Sequence, residues 1–146
     1  MAPIVSHIDI ARRPDEVYSY ATDPLRFAEW QRDVVHVRMA ENRPARVGSR
    51  FITTRRIGRA ERTMTQQIVE LRPPTRWAAR GVDGPVRPNA SVTIEPLGDG
   101  TRSRATFSLD FEGRGIGKLL VALFVRRLAA KGAPASYQNL KELLER

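Results

Sequence analysis

The last third of the chain constrains the fold most. Residues 115–146 are rich in good helix formers and read as one long helix, with a kink or break expected at Gly132–Pro134 because Pro134 has no N–H to donate. The second half of this helix is amphipathic, with Tyr137, Leu140, Leu143 and Leu144 on one stripe. The first half is not: Leu119, Leu120, Val121, Ala122, Leu123, Phe124 and Val125 are apolar all round. A helix of that kind needs cover on more than one side, from protein, ligand or lipid. The rest of the chain must therefore provide a broad apolar surface.

The upstream sequence provides it as strands. Residues 4–10 alternate, with Ile4, Ser6, Ile8 and Ile10 on one face and His7 and Asp9 on the other, where they read as surface. Arg13-Pro14-Asp15-Glu16-Val17 opens a short helix that turns Val17, Tyr18 and Ala21 inward. Asp23-Pro24 begins a second, with Asp23 as N-cap, carrying Leu25, Phe27 and Trp30. From Val34 to Glu112 the chain reads as consecutive strands: residues 34–39, 48–57, 61–71, 77–82, 90–97 and a last one running to Glu112, separated by polar, Gly and Pro turns. In the first of these, Val35, Val37 and Met39 share the inner side. The last alternates most cleanly, Ser103, Ala105, Phe107, Leu109 and Phe111 against polar neighbours. In residues 61–71 the apolar parity changes between Ile68 and Leu71, which a bulge explains, so either Gln66 or Gln67 points inward. The expectation is an α+β fold: a twisted antiparallel sheet of about seven strands, dry on one face, gripping the C-terminal helix, with two short helices after strand 1.

Several classes fall away. With 146 residues the chain makes one domain, 1–146, and it has no Cys for disulfide or thiol chemistry. The formal charge of +9 is carried by Arg spread along the sequence, and no nucleic-acid motif accompanies it, so no nucleic acid is expected as partner. Met1-Ala2-Pro3-Ile4 lacks the basic-then-apolar pattern of a signal peptide, and the apolar run 119–125 is far short of the roughly 20 residues that span a bilayer. A cytoplasmic protein is expected. Two isolated His and no helical His spacing argue against a metal, and no cofactor is implied. Residues 113–118 fail as a phosphate loop, because Glu112 stands where the first Gly is needed and Leu119 where Ser or Thr is needed.

Pro14-Asp15-Glu16-Val17-Tyr18, Thr22-Asp23-Pro24, Phe27-Ala28-Glu29-Trp30, Val47-Gly48-Ser49-Arg50-Phe51, Pro73-Pro74, Asp99-Gly100-Thr101-Arg102 and the closing Asn139-Leu140-Lys141-Glu142-Leu143-Leu144-Glu145 follow one another in a recognisable order. Together they resemble the polyketide cyclase/dehydrase group of the START-related (SRPBCC) superfamily over essentially the whole chain. The resemblance implies a helix-grip fold with a hydrophobic ligand cavity between sheet and helix, and leaves the chemistry undefined.

Alternation nominates Phe51, Trp77, Ala79, Val92, Phe107 and Phe111 from the sheet, and Leu120 and Phe124 from the helix, as cavity lining. Trp30 is placed at the mouth, and the Tyr137 hydroxyl within reach of a ligand or the backbone. Arg80 falls on the face opposite Trp77, and His36 points outward. None of these has a visible acid or base partner, so acid–base and nucleophilic catalysis find no support. Binding of a hydrophobic or aromatic small molecule is the leading expectation. A cyclase/dehydratase-type enzyme is the first alternative. A peripheral lipid-associated protein, with 119–125 and Arg126, Arg127 and Lys131 on anionic lipid, is the second, and a membrane surface is disfavoured as partner. Oligomeric state is not encoded legibly.

Overall fold

The computed structural model describes residues 3–146, so Met1 and Ala2, on which part of the N-terminal reading rests, lie outside it. Seven antiparallel strands form one sheet: β1 Ile4–Ile10, β2 Val34–Met39, β3 Arg50–Ile57, β4 Ala60–Arg72, β5 Arg76–Gly81, β6 Val86–Leu97 and β7 Arg102–Gly113. Their order across the sheet is β1-β7-β6-β5-β4-β3-β2, a meander closed by β1 pairing with the last strand. Between β1 and β2 stand α1 (Pro14–Ala21), a 3-10 turn (Pro24–Arg26) and α2 (Phe27–Trp30). Val17, Tyr18 and Ala21 are buried as expected. Asp23 caps the second helical stretch, its carboxylate accepting from the Leu25 N–H at 3.1 Å.

The chain ends in one continuous helix over residues 117–144, α3, built from Gly117–Leu120, a π-helical turn at Val121–Val125, and Arg126–Leu144. The expected break at Gly132–Pro134 is absent. Pro134 and Ala130 are both exposed, so water can take the carbonyl that Pro134 leaves unpaired and the helix runs through. The irregularity falls instead at the π turn.

One register expectation also fails. A bulge between Val34 and His36 puts Val34 in the core and Val35 outside, while Val37 keeps its inner place. The bulge in β4 lies between Ile68 and Glu70; Val69 is the outward extra residue, and Gln66 rather than Gln67 is buried.

The core lies between the inner sheet face, the two short helices and the second half of α3, where Leu140 is fully buried. Polar contacts clamp that half. The Ser136 hydroxyl accepts from the Arg32 N–H at 3.1 Å, and Asn139 Nδ2 donates to the Trp30 carbonyl at 3.4 Å. Lys141 Nζ donates to the Asp9 carbonyl at 2.6 Å, and Glu145 accepts from the Ala11 N–H at 2.7 Å. The first half has less. Gly117 seats the helix start against the Pro85 carbonyl so closely that a Cβ has no room. Arg126 Nη1 reaches Asp110 at 2.7 Å. Because only one side of this half meets the sheet, at β6 and β7, the expectation of all-round cover is corrected: Leu119, Leu123 and Phe124 are exposed, and Val121 is buried.

Candidate functional site

Strand pairing fixes what the inner face offers. Ile68, Ala79, Ala90 and Leu109 lie in one row across β4, β5, β6 and β7, and Gln66 lies opposite Gly81 in the next. At the centre of the sheet the inner side chains are thus a hydrogen or a methyl group, a low floor between taller walls. One wall is Phe51, Thr53 and Gln66, all buried; Thr53 Oγ1 donates to Gln66 Oε1 at 3.1 Å, which leaves the Gln66 amide NH2 available. The other runs along β7 through Phe107 toward Phe111, which is half-buried. Leu120, also half-buried, and the buried Val121 belong to the stretch of α3 that packs against β6 and β7.

Six aromatic rings pack against one another over the inner face. Phe27 meets Trp30, Phe51 and Trp77 edge-on with centroids 6.0, 5.8 and 5.8 Å apart. Trp30 lies 5.9 Å from Phe107 and 6.4 Å from Tyr137, and Tyr137 stacks on Phe107 at 4.0 Å with 11° between the planes. Contacts of this kind contribute about 0.5–1.5 kcal/mol per pair beyond the area they bury. The cluster therefore both holds the fold and furnishes an aromatic wall. Its polar atoms are conspicuous. The indole Nε1 atoms of Trp30 and Trp77 are buried and have no hydrogen-bond partner. Each such donor costs about 1–3 kcal/mol while it stays unsatisfied. Burial pushes the Tyr137 hydroxyl up to about 12, opposed only by the nearby Arg55 guanidinium. Arg55 itself is held by Asp33 at 2.9 Å and by Gln31 Oε1 at 3.0 Å.

Of the nominated residues, Trp30, Phe51, Trp77, Phe107 and Tyr137 come together in one cluster. Phe111 and Leu120, both half-buried, are not part of it. Phe124 does not join it either: it is 58% exposed, because the helix half that carries it is covered on one side only. Two participants, Phe27 and Thr53, were not nominated, and Gln66 is the one of the two expected glutamines that turns inward. Phe27 touches three of the rings, and Thr53 and Gln66 are polar groups on the inner wall. Thr53 was accessible from its parity with Phe51; Phe27 lies in a helix of one turn, too short to show a period. Arg80 and His36 are exposed, as expected. The His7/Asp9 pair resolves as surface: Asp9 binds Arg104 at 2.8 Å across the β1–β7 pairing, and that hydrogen bond lowers its pKa.

Among the described residues the buried polar side chains are Thr22, Thr53, Gln66, Ser103 and Ser136 together with the two indoles, so the core holds no carboxylate or imidazole. No group of three metal-ligating carboxylate or imidazole residues occurs among the described residues. A recess of about 510 Å³ at the entry to α3, lined by Glu112, Gly113, Arg114, Gly115 and Lys118, contains none of the nominated aromatic residues.

The architecture is similar to that of several solved structures. The Zhui aromatase/cyclase of a Streptomyces species superposes with a TM-score of 0.80 at 17% identity, covering 99% of this chain and 93% of that one. A START superfamily protein from Mycobacterium smegmatis gives 0.79 at 13% identity, covering 99% and 98%. The di-domain ARO/CYC BexL gives 0.74 at 17% identity; this chain is covered to 97% and spans 46% of that one. At such identities the likeness establishes the fold, a helix grip. No match was found among curated proteins. Residues 1–145 match the sequence family described as polyketide cyclase / dehydrase and lipid transport. The chain belongs to that polyketide cyclase/dehydrase and lipid transport family.

Proposed function

We propose that the protein binds a flat, apolar, ring-bearing small molecule that carries at least one hydrogen-bond acceptor, held between the inner sheet face and α3. The observation that carries this reading is the pair of buried, unpartnered indole N–H groups of Trp30 and Trp77 within the aromatic wall. A ligand carbonyl or phenol oxygen meeting such a donor recovers part of the cost of burying it. The surrounding rings favour aromatic faces, and the floor of Gly81, Ala79 and Ala90 lets a planar molecule approach the sheet. Binding is preferred to catalysis because the inner polar groups, Thr53 and Gln66, do not titrate, and burial keeps the Tyr137 hydroxyl protonated and so unfit as a base near neutral pH.

Native mass spectrometry of freshly purified protein should show a co-purifying small molecule. Titration with a hydroxyanthraquinone should quench tryptophan fluorescence, with affinity at least ~10-fold above that for anthracene, which has the rings but no acceptor. Trp30→Phe and Trp77→Phe should narrow that preference while leaving the protein folded. An empty mass spectrum together with no response to either probe would overturn the reading.

A further inference from the structure

Of the ten exposed large apolar residues among the described residues, five fall within residues 116–128, at the start and first half of α3. Ile116 is 72% exposed, Leu119 57%, Leu123 48%, Phe124 58% and Leu128 51%. Leu119 and Leu123 are four apart and share a face of the helix. Leu123 and Leu128 are five apart, the spacing that the intervening π turn at Val121–Val125 brings back into line. The result is a continuous strip of large side chains in water, which a monomeric surface rarely carries.

The charges that the helix segment itself carries are all of one sign. Between Glu112 and Glu142 the sequence has no Asp or Glu. Lys118, Arg127 and Lys131 are exposed there and enter no ion pair among the described residues. No helix among the described residues is long and apolar enough to cross a membrane. A helix lying flat with large apolar residues on one face and lysine and arginine beside them is the form that inserts into a headgroup layer.

We infer that this face of α3 rests on an anionic lipid surface, with the leucines and Phe124 at the acyl boundary and Lys118, Arg127 and Lys131 among the headgroup phosphates. A second copy of the chain fits the same strip poorly. Face-to-face pairing would bring the basic residues of both copies together without an acid on this helix segment to separate them. A lipid layer supplies both the apolar phase and the opposite charge. The inference is independent of any ligand in the interior.

Vesicle sedimentation of the full chain tests it. Phosphatidylcholine vesicles containing phosphatidylglycerol should carry the protein down, pure phosphatidylcholine should not, and 0.5 M salt (about a 4 Å Debye length) should weaken binding ~10-fold or more. The double variant Leu119→Glu/Leu123→Glu should lose binding by ~10-fold or more while its circular dichroism and denaturation midpoint match the wild type. Arg127→Glu/Lys131→Glu should lose the preference for the anionic vesicles. Failure of the wild type to sediment with anionic vesicles would overturn the inference, as would unchanged binding by the leucine variant. A wild-type dimer in light scattering that the leucine substitutions convert to a monomer would overturn it in favour of a self-interface.

Discussion

The two halves of α3 belong to one continuous helix and are used in opposite ways. The second half buries Ser136 and Leu140, stacks Tyr137 on Phe107, and is tied by side chains at and just past its end to α2, to Arg32 and to the chain at the end of β1. The first half is the more hydrophobic, yet it touches the sheet along the line of Gly117 and Val121 and exposes most of its leucines. Hydrophobicity thus does not decide which segment is buried here. Attachment does: hydrogen bonds to backbone groups fix where the second half lies, and the first half follows the axis that this sets.

That contrast is open to mutation. Leu140→Ala, in the clamped half, should cost about 2–5 kcal/mol in denaturant unfolding, the usual range for emptying a fully buried leucine site. Gly117→Ala should cost about 1–3 kcal/mol, since the new methyl must push the helix start off Pro85. Hydrogen exchange should then accelerate over 117–125 and leave 136–144 largely unchanged. Equal acceleration in both halves would erase the distinction drawn here. In the wild type, amides of the first half should already exchange faster than those of the second.

A smaller effect concerns pH. The Ala11 N–H, and after it Lys141, hold the Glu145 carboxyl below its ordinary value. A depressed folded-state pKa means that the stabilisation is present above the usual glutamate range and is lost as pH falls through the lowered value. Glu145→Gln should therefore narrow the difference in stability between neutral and acid pH, measured by urea unfolding at each. The smallest effect is the most diagnostic. Leu123→Ala, although it removes a leucine from an apolar helix, should change stability by no more than about 0.5 kcal/mol. A loss comparable to that of Leu140→Ala would mean the first half is covered after all.

Sequence reading succeeded where a periodic pattern met one covered face. β7 is the example: Ser103, Ala105 and Phe107 are buried in strict alternation. The two bulges separate what a pattern can carry from what it cannot. In β4 the bulge shows as a parity change between Ile68 and Leu71. In β2, Val35, Val37 and Met39 alternate without fault, so the displacement of Val35 leaves no trace. In the aromatic wall Phe51, Trp77 and Phe107 followed from strand parity and Tyr137 from the helix stripe, whereas Phe27 had no such pattern. The open side of α3 had no signal at all. An all-round apolar segment offers no contrast between faces, and its orientation is decided by the close seat of Gly117 on Pro85, residues far apart in the chain.

The π turn at Val121–Val125 sets the phase between these two halves. Each residue of an α-helix turns the chain by about 100°, so one residue more or less between two fixed points rotates everything beyond it by that angle. Removing a single residue from this turn would let it relax toward α geometry while the clamped half stayed in place. The leading half would then wind round like a screw backed off by a quarter turn, carrying Leu119 and Lys118 to a new heading and lifting Gly117 from its seat. In this protein the direction faced by the leading half is written as a length of chain, and five residues with no polar side chain hold the setting.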